Sequence, residues 1–397
     1  MPTLTNEHVV NSTPQTPEKR RKNPWVPGIC NIVAAVVFFT AVQILVAVAK
    51  ANPAWVTHSY KLFSRGILRF FSYISGILPL SVAEMILYIT ILSVLIELIV
   101  FIVRLVFAVV KRRFGAFVPK VFKYISGLLL SAASLVFFFQ LFWGLNYYGE
   151  SFAEEHGIQV RKYSVAELKA TTASFVAELN ALAGDVPRNI DGVCDFEDFR
   201  ELTKMAQDSY DSLCAEGRFF GGATVGRAKP VLASEIMSYA GITGIFAPYT
   251  GEANVNYRVP ESSIPFTMAH ELAHSLGVAP ENEANFAAFL ACRASGHIEF
   301  RYSGALAAFV HCYNALAGVD RDAAYELWYA LDGSVIADLT YRSEYWKRYE
   351  GKIEKTATAV NNFYLQANDQ SDGVKSYGMV ADLLIADYLE RNESPKK

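Results

Sequence analysis

The sequence has few charged residues. Asp, Glu, Lys and Arg make up 19% of its 397 residues, whereas apolar residues make up 52%. A chain so rich in apolar side chains is not expected to be disordered. It is also more apolar than an ordinary soluble enzyme, so we expect part of it to lie in a membrane. The length allows two or three domains.

Cysteine is scarce as well, and familiar phosphate-binding motifs are absent. The five cysteines include no CxxC pair, which excludes a thiolate zinc site and a dense disulfide framework. Isolated buried thiols are the simplest interpretation, although Cys194, Cys214, Cys292 and Cys312 can pair in an oxidising compartment. The glycine-rich stretch 217–226 contains neither GxxxxGK[ST] nor GxGxxG, so we assign it no phosphate-binding role.

Basic and acidic residues divide unevenly along the chain. Residues 1–145 contain 14 Lys and Arg against 4 Asp and Glu, and the remainder contains 22 against 35. The second half has no basic excess, which argues against a nucleic-acid partner. The two halves are therefore expected to meet different surroundings.

Three long apolar stretches predict a membrane domain over residues 25–145 with three transmembrane helices. Each stretch exceeds the roughly 20 residues that cross a bilayer. The predicted helices span residues 28–49, 82–110 and 121–143. A cleaved signal peptide is the alternative interpretation of the first stretch. Between the first two helices, residues 55–77 alternate aromatic and basic side chains, a pattern typical of a helix on the membrane surface.

The placement of Lys and Arg predicts the orientation. Residues 1–24 are polar, end in four basic residues and are expected to form a disordered cytoplasmic tail. The loop 111–123 carries five more basic residues, whereas the loop 50–79 carries four. The tail and the loop 111–123 together carry more basic residues than the loop 50–79. This excess predicts that the tail lies inside and residues 146–397 lie outside the cytoplasmic membrane.

Two glutamates in the second apolar stretch suggest an alternative function. Charges at membrane depth are costly and can mark an ion pathway. Glu84 lies near the helix end and can reach the surface, while Glu97 can pair with Arg104. A transporter is therefore one alternative, and structural pairing is the simpler interpretation.

Residues 146–397 read as a mostly helical α+β domain. Ser164 and Glu167 form a capping box that starts a helix over 164–183, and a second helix covers about 196–216. Short strands are predicted around 230–234 and 253–259. Beyond residue 265 the pattern is helical.

The informative motif is HExxH, formed by His270, Glu271 and His274. On a helix, the two histidines lie on one side and can bind one metal ion, and zinc suits these ligands best. Glu271 lies beside the open coordination position, where it can act as a general base. Pro265 is suited to the helix start and Gly277 to its end. A surface helix with two exposed histidines is the alternative.

The third metal ligand is expected on a second helix that follows a turn ending at Pro280. Glu281 and Asn285 share a face, which suits a ligand and a group that orients a ligating histidine. Glu283 is rotated away from Glu281 and is the less favoured candidate.

At these residues the sequence resembles known families. Glu281, Ala284 and Asn285 look like the ExxA[DN] signature of gluzincin metallopeptidases, in which the first glutamate binds zinc. The whole arrangement more closely resembles the domain-of-unknown-function 3810 family, bacterial membrane proteins with predicted zinc-peptidase character. The resembling stretches are 234–239, 241–244, 248–256, 266–292, 300–303 and 364–377.

The resemblance also ranks the candidates for stabilising an oxyanion. Tyr302 is favoured because it follows the metal helices in a family-like stretch. The other candidates are His297, Arg301, Tyr257 and Tyr377.

We therefore expect a membrane-anchored, gluzincin-like zinc metallopeptidase that acts on a peptide or protein substrate. Zn²⁺ would be held by His270, His274 and Glu281, with Glu271 as general base. The resemblance to gluzincins implies that the strand around 253–257 aligns an extended peptide beside the active-site helix. The main alternative is a non-enzymatic scaffold or sensor with a structural zinc site, which needs a fourth protein ligand, and His297 is the nearest candidate.

Overall fold

The computed structural model describes residues 23–112, 114–196, 198–220, 226–368, 370 and 379–393. It is mostly helical, with one three-stranded sheet. The helices are α1 (Val26–Ala51), α2 (Pro53–Trp55), α3 (Lys61–Ser75), α4 (Val82–Val110), α5 (Phe114–Phe142), α6 (Phe152–His156), α7 (Val165–Leu182), α8 (Phe199–Ala215), α9 (Ser234–Tyr239), α10 (Ile264–Ser275), α11 (Glu281–Ala294), α12 (Ile298–Val319), α13 (Arg321–Tyr329), α14 (Gly333–Lys347), α15 (Lys352–Ala367) and α16 (Val380–Glu393). The strands are β1 (Ala228–Pro230), β2 (Gly244–Ala247) and β3 (Glu252–Val255).

Helices α1, α4 and α5 are long and apolar enough to cross a membrane, as the sequence predicts. α1 and α5 pack side by side, with the Phe38 and Phe137 rings 5.0 Å apart and Asn31 donating to the Ser126 hydroxyl. α4 contacts α5 through Phe101, whose ring lies 5.9 Å from the rings of Phe117 and Tyr124, and most of its other side chains are exposed. α5 begins before the predicted residue because its backbone remains helical through the basic region and through Pro119.

The two glutamates of α4 differ from the expectations, which were a pair with Arg104 for Glu97 and a surface position for Glu84. Within the described part of the chain, no ion pair within 4.0 Å joins Glu97 to Arg104. Glu84 is buried rather than directed to solvent. Its carboxylate accepts hydrogen bonds from the backbone N–H groups of Leu232 and Ala233, at 2.8 and 2.7 Å. Glu84 thus caps the start of α9, a structural role.

The segment between α1 and α4 is amphipathic, as predicted. In α3 a narrow face that includes Ser64 and Leu68 is buried against the rest of the protein. The Ser64 hydroxyl donates to the carbonyl of Phe142 at 2.6 Å. Large apolar side chains on the other side are exposed, among them Phe70 and Tyr73. The position of this helix on a membrane surface remains a prediction.

The globular part is built around buried helices and a small sheet. The strand order is β1–β3–β2, with β3 parallel to β1 and antiparallel to β2. Every residue of β3 is buried. The sequence missed β2, because four residues with an initial glycine give no alternating pattern. The capping box of Ser164 and Glu167 is present at the start of α7, as predicted.

A buried carboxylate ties the globular part to α4. Glu252 of β3 accepts hydrogen bonds from the N–H groups of Val82 and Ala83, at 3.0 and 2.8 Å. The same carboxylate lies 2.6 Å from the ammonium of Lys229, which also donates to the carbonyl of Ser75. Since N-terminal N–H groups of a helix favour negative charge, Glu252 stabilises the start of α4 and offsets the buried cation.

We predict that Glu252→Gln destabilises the protein by about 3 kcal/mol, because it leaves Lys229 buried without a counter-charge. This corresponds to a fall of roughly 5–10 °C in the midpoint of thermal unfolding, measured in detergent. Glu201→Gln is the control, because its ion pair with Lys204 is exposed and worth at most about 1 kcal/mol. Equal shifts for both variants would contradict the prediction.

Candidate metal centre

The HExxH motif lies on α10, which is a buried helix. Pro265 occupies its first turn, and Gly277 follows its end with a φ of +82°. Met268 and Leu272 are fully buried, and the alternative of a surface helix with two exposed histidines is therefore wrong. The apolar side chains fix α10 in the core, so its polar side chains are held in place by packing.

His270, His274 and Glu281 come together as predicted. One ligand atom from each lies within 4.8 Å of the others. Nε2 of His270 is 3.2 Å from one carboxylate oxygen of Glu281, and Nε2 of His274 is 3.8 Å from the other. The helical spacing brings the imidazoles to one side, and the following turn brings the carboxylate to them.

Hydrogen bonds around the turn orient His274. Its Nδ1 lies 2.7 Å from the carbonyl of Val278, which can only accept, so Nδ1 carries the proton and Nε2 keeps its lone pair. The Trp143 indole donates to the His274 carbonyl at 3.1 Å. A Cβ at Gly277 would lie 2.9 Å from the Lys61 side chain. The end of the membrane half therefore packs directly behind a candidate ligand.

The structure separates the two candidate carboxylates. Glu281 is the first residue of α11 and faces both histidines. Glu283 lies on another side of α11, against the backbone of Phe152 and near Lys61. Burial raises the pKa of Glu283 to about 7. The sequence analysis favoured Glu281 because Glu283 is rotated away from it around the helix, and the two carboxylates lie on different sides of α11 in the structure.

Asn285 lies one turn after Glu281 and beside His270, also as predicted. Its side chain raises the affinity of His270 for a proton, which places the two groups within interaction distance. Nδ1 of His270 and Nδ2 of Asn285 are both buried and lack a hydrogen-bond partner. Exchange of the amide oxygen and nitrogen would let Asn285 accept from Nδ1 and direct Nε2 of His270 toward the cluster.

Glu271 lies near His270 and Glu281, with its carboxylate against the backbone of β2. It is 4% exposed, and a Cβ added at Gly244 would lie 2.4 Å from its carboxylate oxygen Oε1. Gly244 is thus the residue that leaves room for this side chain. The carboxylate lies between the metal-binding face of α10 and a strand backbone.

Burial dominates the electrostatics of the centre. It lowers the pKa of His274 to about 4 and raises the pKa of Glu271 to about 8. Burial also lowers the pKa of His270, but Glu281 and Glu271 outweigh this effect and leave the pKa raised. His274 is therefore neutral at physiological pH, the form in which an imidazole binds a metal.

The donor set fits a small divalent cation. Two imidazoles and a carboxylate are the ligands of open zinc sites, and tetrahedral bonds of about 2.0 Å separate neighbouring ligand atoms by about 3.3 Å. The measured 3.2 and 3.8 Å are close to that spacing.

Tyr302, the favoured oxyanion residue, has a different environment. Its side chain is fully buried, and its hydroxyl donates to the carboxylate of Asp338 at 2.6 Å. The guanidinium of Arg188 lies 2.9 Å from the same carboxylate. The hydroxyl proton is thus already held inside a buried network, which gives Tyr302 a structural role.

The other oxyanion candidates in the described part of the chain have surroundings away from the cluster. Nε2 of His297 lies 3.5 Å from the carboxylate of Asp208. Tyr257 and Arg301 are exposed. Tyr377 lies outside the described residues.

The structure brings to the site three side chains that the sequence analysis did not select. Tyr364 of α15 is close enough to Glu281 for that carboxylate to affect its pKa, which burial raises to about 12. His311 of α12 and Arg342 of α14 line a cavity with Asn285. No motif or spacing links these residues to HExxH, so only the assembled helices reveal them.

Comparison with known proteins gives one match. Residues 59–385 match the family described as "Protein of unknown function (DUF3810)". The chain belongs to this family. The match includes α4, α5 and the whole metal centre. No curated protein and no solved structure matches the chain.

We predict that the purified protein binds about one divalent metal ion and that Glu281→Ala removes most of it, because Glu281 bridges both histidines. Glu283→Ala is the matched control and is expected to retain the ion. Metal content by mass spectrometry, after dialysis against a weak chelator, checks this. Loss of the ion in Glu283→Ala with retention in Glu281→Ala would reverse the assignment.

Proposed function

We propose that the protein is a membrane-anchored, zinc-dependent peptidase. The observation that carries the proposal is the convergence of His270, His274 and Glu281, with the buried Glu271 beside them. Two imidazoles and one carboxylate leave a fourth position of a tetrahedral site open, which is the arrangement of catalytic rather than structural zinc.

Glu271 is proposed as the general base. A bound zinc ion would supply Lewis acidity that polarises the scissile carbonyl and acidifies water. A divalent cation held by the neighbouring ligands would favour the ionised form of Glu271. The Glu271 carboxylate then accepts the proton of the attacking water and delivers it to the leaving nitrogen as the C–N bond breaks. Its buried position excludes bulk water, and its contact with Gly244 fixes its direction.

The strand that aligns the substrate is β2, which corrects the expectation for residues 253–257. β3 contains Ala253 and is the central strand, so its backbone is already paired on both sides. β2 is an edge strand, and Gly244 at its start touches Glu271. An extended peptide that adds to this edge would pass beside the general base.

The surroundings of the centre argue against the scaffold alternative. A closed structural site needs four protein ligands, and the cluster found among the described residues has three. His297, the expected fourth ligand, faces Asp208 instead. The transporter alternative is also weakened, because Glu84 caps α9.

The distribution of basic residues supports a location of this centre outside the cytoplasmic membrane. The loop after α4 contains Lys111 and Arg112 and lies at the opposite end of α5 from Trp143. Basic loops favour the cytoplasmic side. The end of α5 that contacts His274 would then lie on the outer side.

We predict that Glu271→Gln retains its metal ion but loses at least about 100-fold in peptide hydrolysis, because it removes the proton acceptor. Cleavage of a mixed peptide library by protein in detergent, followed by mass spectrometry, measures this. Glu283→Gln is the control, since this carboxylate lies away from the cluster. Equal cleavage by the unmodified protein and Glu271→Gln would refute the proposed role.

Tyr364 is the proposed donor to the oxyanion. Its hydroxyl accepts a hydrogen bond from Tyr147 at 3.3 Å and keeps its own proton to donate. We predict that Tyr364→Phe lowers kcat/KM by roughly 100-fold, the effect of losing one such donor.

Tyr302→Phe is the matched control for Tyr364→Phe. It removes a buried hydrogen bond to Asp338 and is expected to lower the unfolding midpoint while kcat/KM stays within about threefold. If Tyr302→Phe abolished hydrolysis and Tyr364→Phe did not, the choice from the sequence would be right.

A further inference from the structure

A cavity of about 560 Å³ opens beside the candidate metal centre. Its lining includes Thr243, Phe266 and Asn285. Phe266 lies one helical turn before His270 on α10, and Thr243 precedes Gly244, the residue in contact with Glu271. The cavity therefore adjoins the candidate metal centre, and its volume lies in the range of small-molecule binding sites.

The charge of the cavity wall is unusual. Arg342 is the one permanently charged side chain among the described residues that line it. It is half-buried, and burial alone lowers its pKa. In the described part of the chain, no carboxylate lies within 4.0 Å of its guanidinium. A partly buried cation without a counter-charge is costly, and proteins normally pair it.

Two neutral polar groups accompany this cation. Asn285 is 6% exposed and lines the cavity with its polar side chain. His311 lines the same wall, and burial, together with the nearby Arg342 and His270, lowers its pKa to about 4. Neutral His311 can donate one hydrogen bond without adding charge. The cavity thus offers a cation accompanied by neutral polar side chains, which together complement an anion.

From this arrangement we infer that Arg342 binds a carboxylate of the substrate in the cavity beside the cluster. The inference rests on the proposed peptidase function and specifies its substrate class. The carboxylate would come from the free C-terminus of the peptide or from an acidic side chain next to the scissile bond. A guanidinium matches a carboxylate through two parallel hydrogen bonds, so the contact selects as well as attracts.

Binding to a Glu271→Gln protein tests this without turnover. Calorimetry compares acetyl-tetra-alanine with its C-terminal amide, and acetyl-Ala-Ala-Glu-Ala-amide with its Gln counterpart. We expect at least one carboxylate peptide to bind about tenfold or more tightly than its neutral partner. A preference confined to the first pair identifies the C-terminus as the source, and one confined to the second identifies the side chain.

Adding Arg342→Gln is expected to abolish the preference, and Arg342→Lys to leave part of it, because lysine keeps the charge without the two-pronged geometry. Arg348→Gln is the control, because Arg348 is exposed over the ring of Tyr345. Without peptide, Arg342→Gln should unfold at the same or a higher temperature, because it removes a half-buried charge that no carboxylate among the described residues pairs with.

Equal binding of both members of each pair, or a preference that survives Arg342→Gln, overturns the inference. This result differs from failure of the proposed function. A protein that cleaves internal neutral sites without carboxylate preference is a peptidase without the inferred selectivity. A protein that prefers carboxylates through Arg342 but cleaves nothing retains the binding site and loses the proposed reaction.

Discussion

The candidate metal centre depends on the turn between α10 and α11. Residues 276–280 reverse the chain so soon after His274 that Glu281 falls in the first turn of the next helix, facing back toward both histidines. The left-handed backbone of Gly277 permits this reversal. The carbonyl of Val278 lies in this turn and accepts a hydrogen bond from Nδ1 of His274. A single backbone feature therefore positions one ligand and sets the tautomer of another.

The sequence predicted those parts of the site that local periodicity governs. The spacing of His270 and His274, and the offset between Glu281 and Glu283, follow from the helical repeat, and the structure has them as expected. The capping box at Ser164 was equally local.

What the sequence missed depends on contacts between distant segments. Tyr302 was near the motif in the chain, but its hydroxyl is bound by Asp338 of α14. The edge position of β2 emerges only once β1 has paired with β3. Arg342 reaches the cavity because α14 packs near α12, which no motif encodes. Proximity in sequence is a poor guide to a site that several helices assemble.

The change of composition near residue 145 does not mark a break in the structure. Glu252 of the central strand caps the start of α4, and Glu84 of α4 caps the start of α9. The membrane part and the globular part each supply a carboxylate to the start of a helix in the other part. Lys229 adds a buried contact to the carbonyl of Ser75. Because these groups are buried together, disruption of one side leaves unpaired charge on the other.

The contact of Trp143 with His274 has a geometric consequence. Trp143 directly follows α5, and its ring centroid lies 5.8 Å from that of the histidine. Tryptophan at the end of a membrane helix normally lies among the lipid headgroups. With α5 across a bilayer, the metal centre would sit almost on the lipid surface, within reach of chains tethered to or emerging from the membrane. The distance of a peptide bond from the lipid surface, rather than the shape of a cleft far from the membrane, would then decide whether that bond can reach the metal centre.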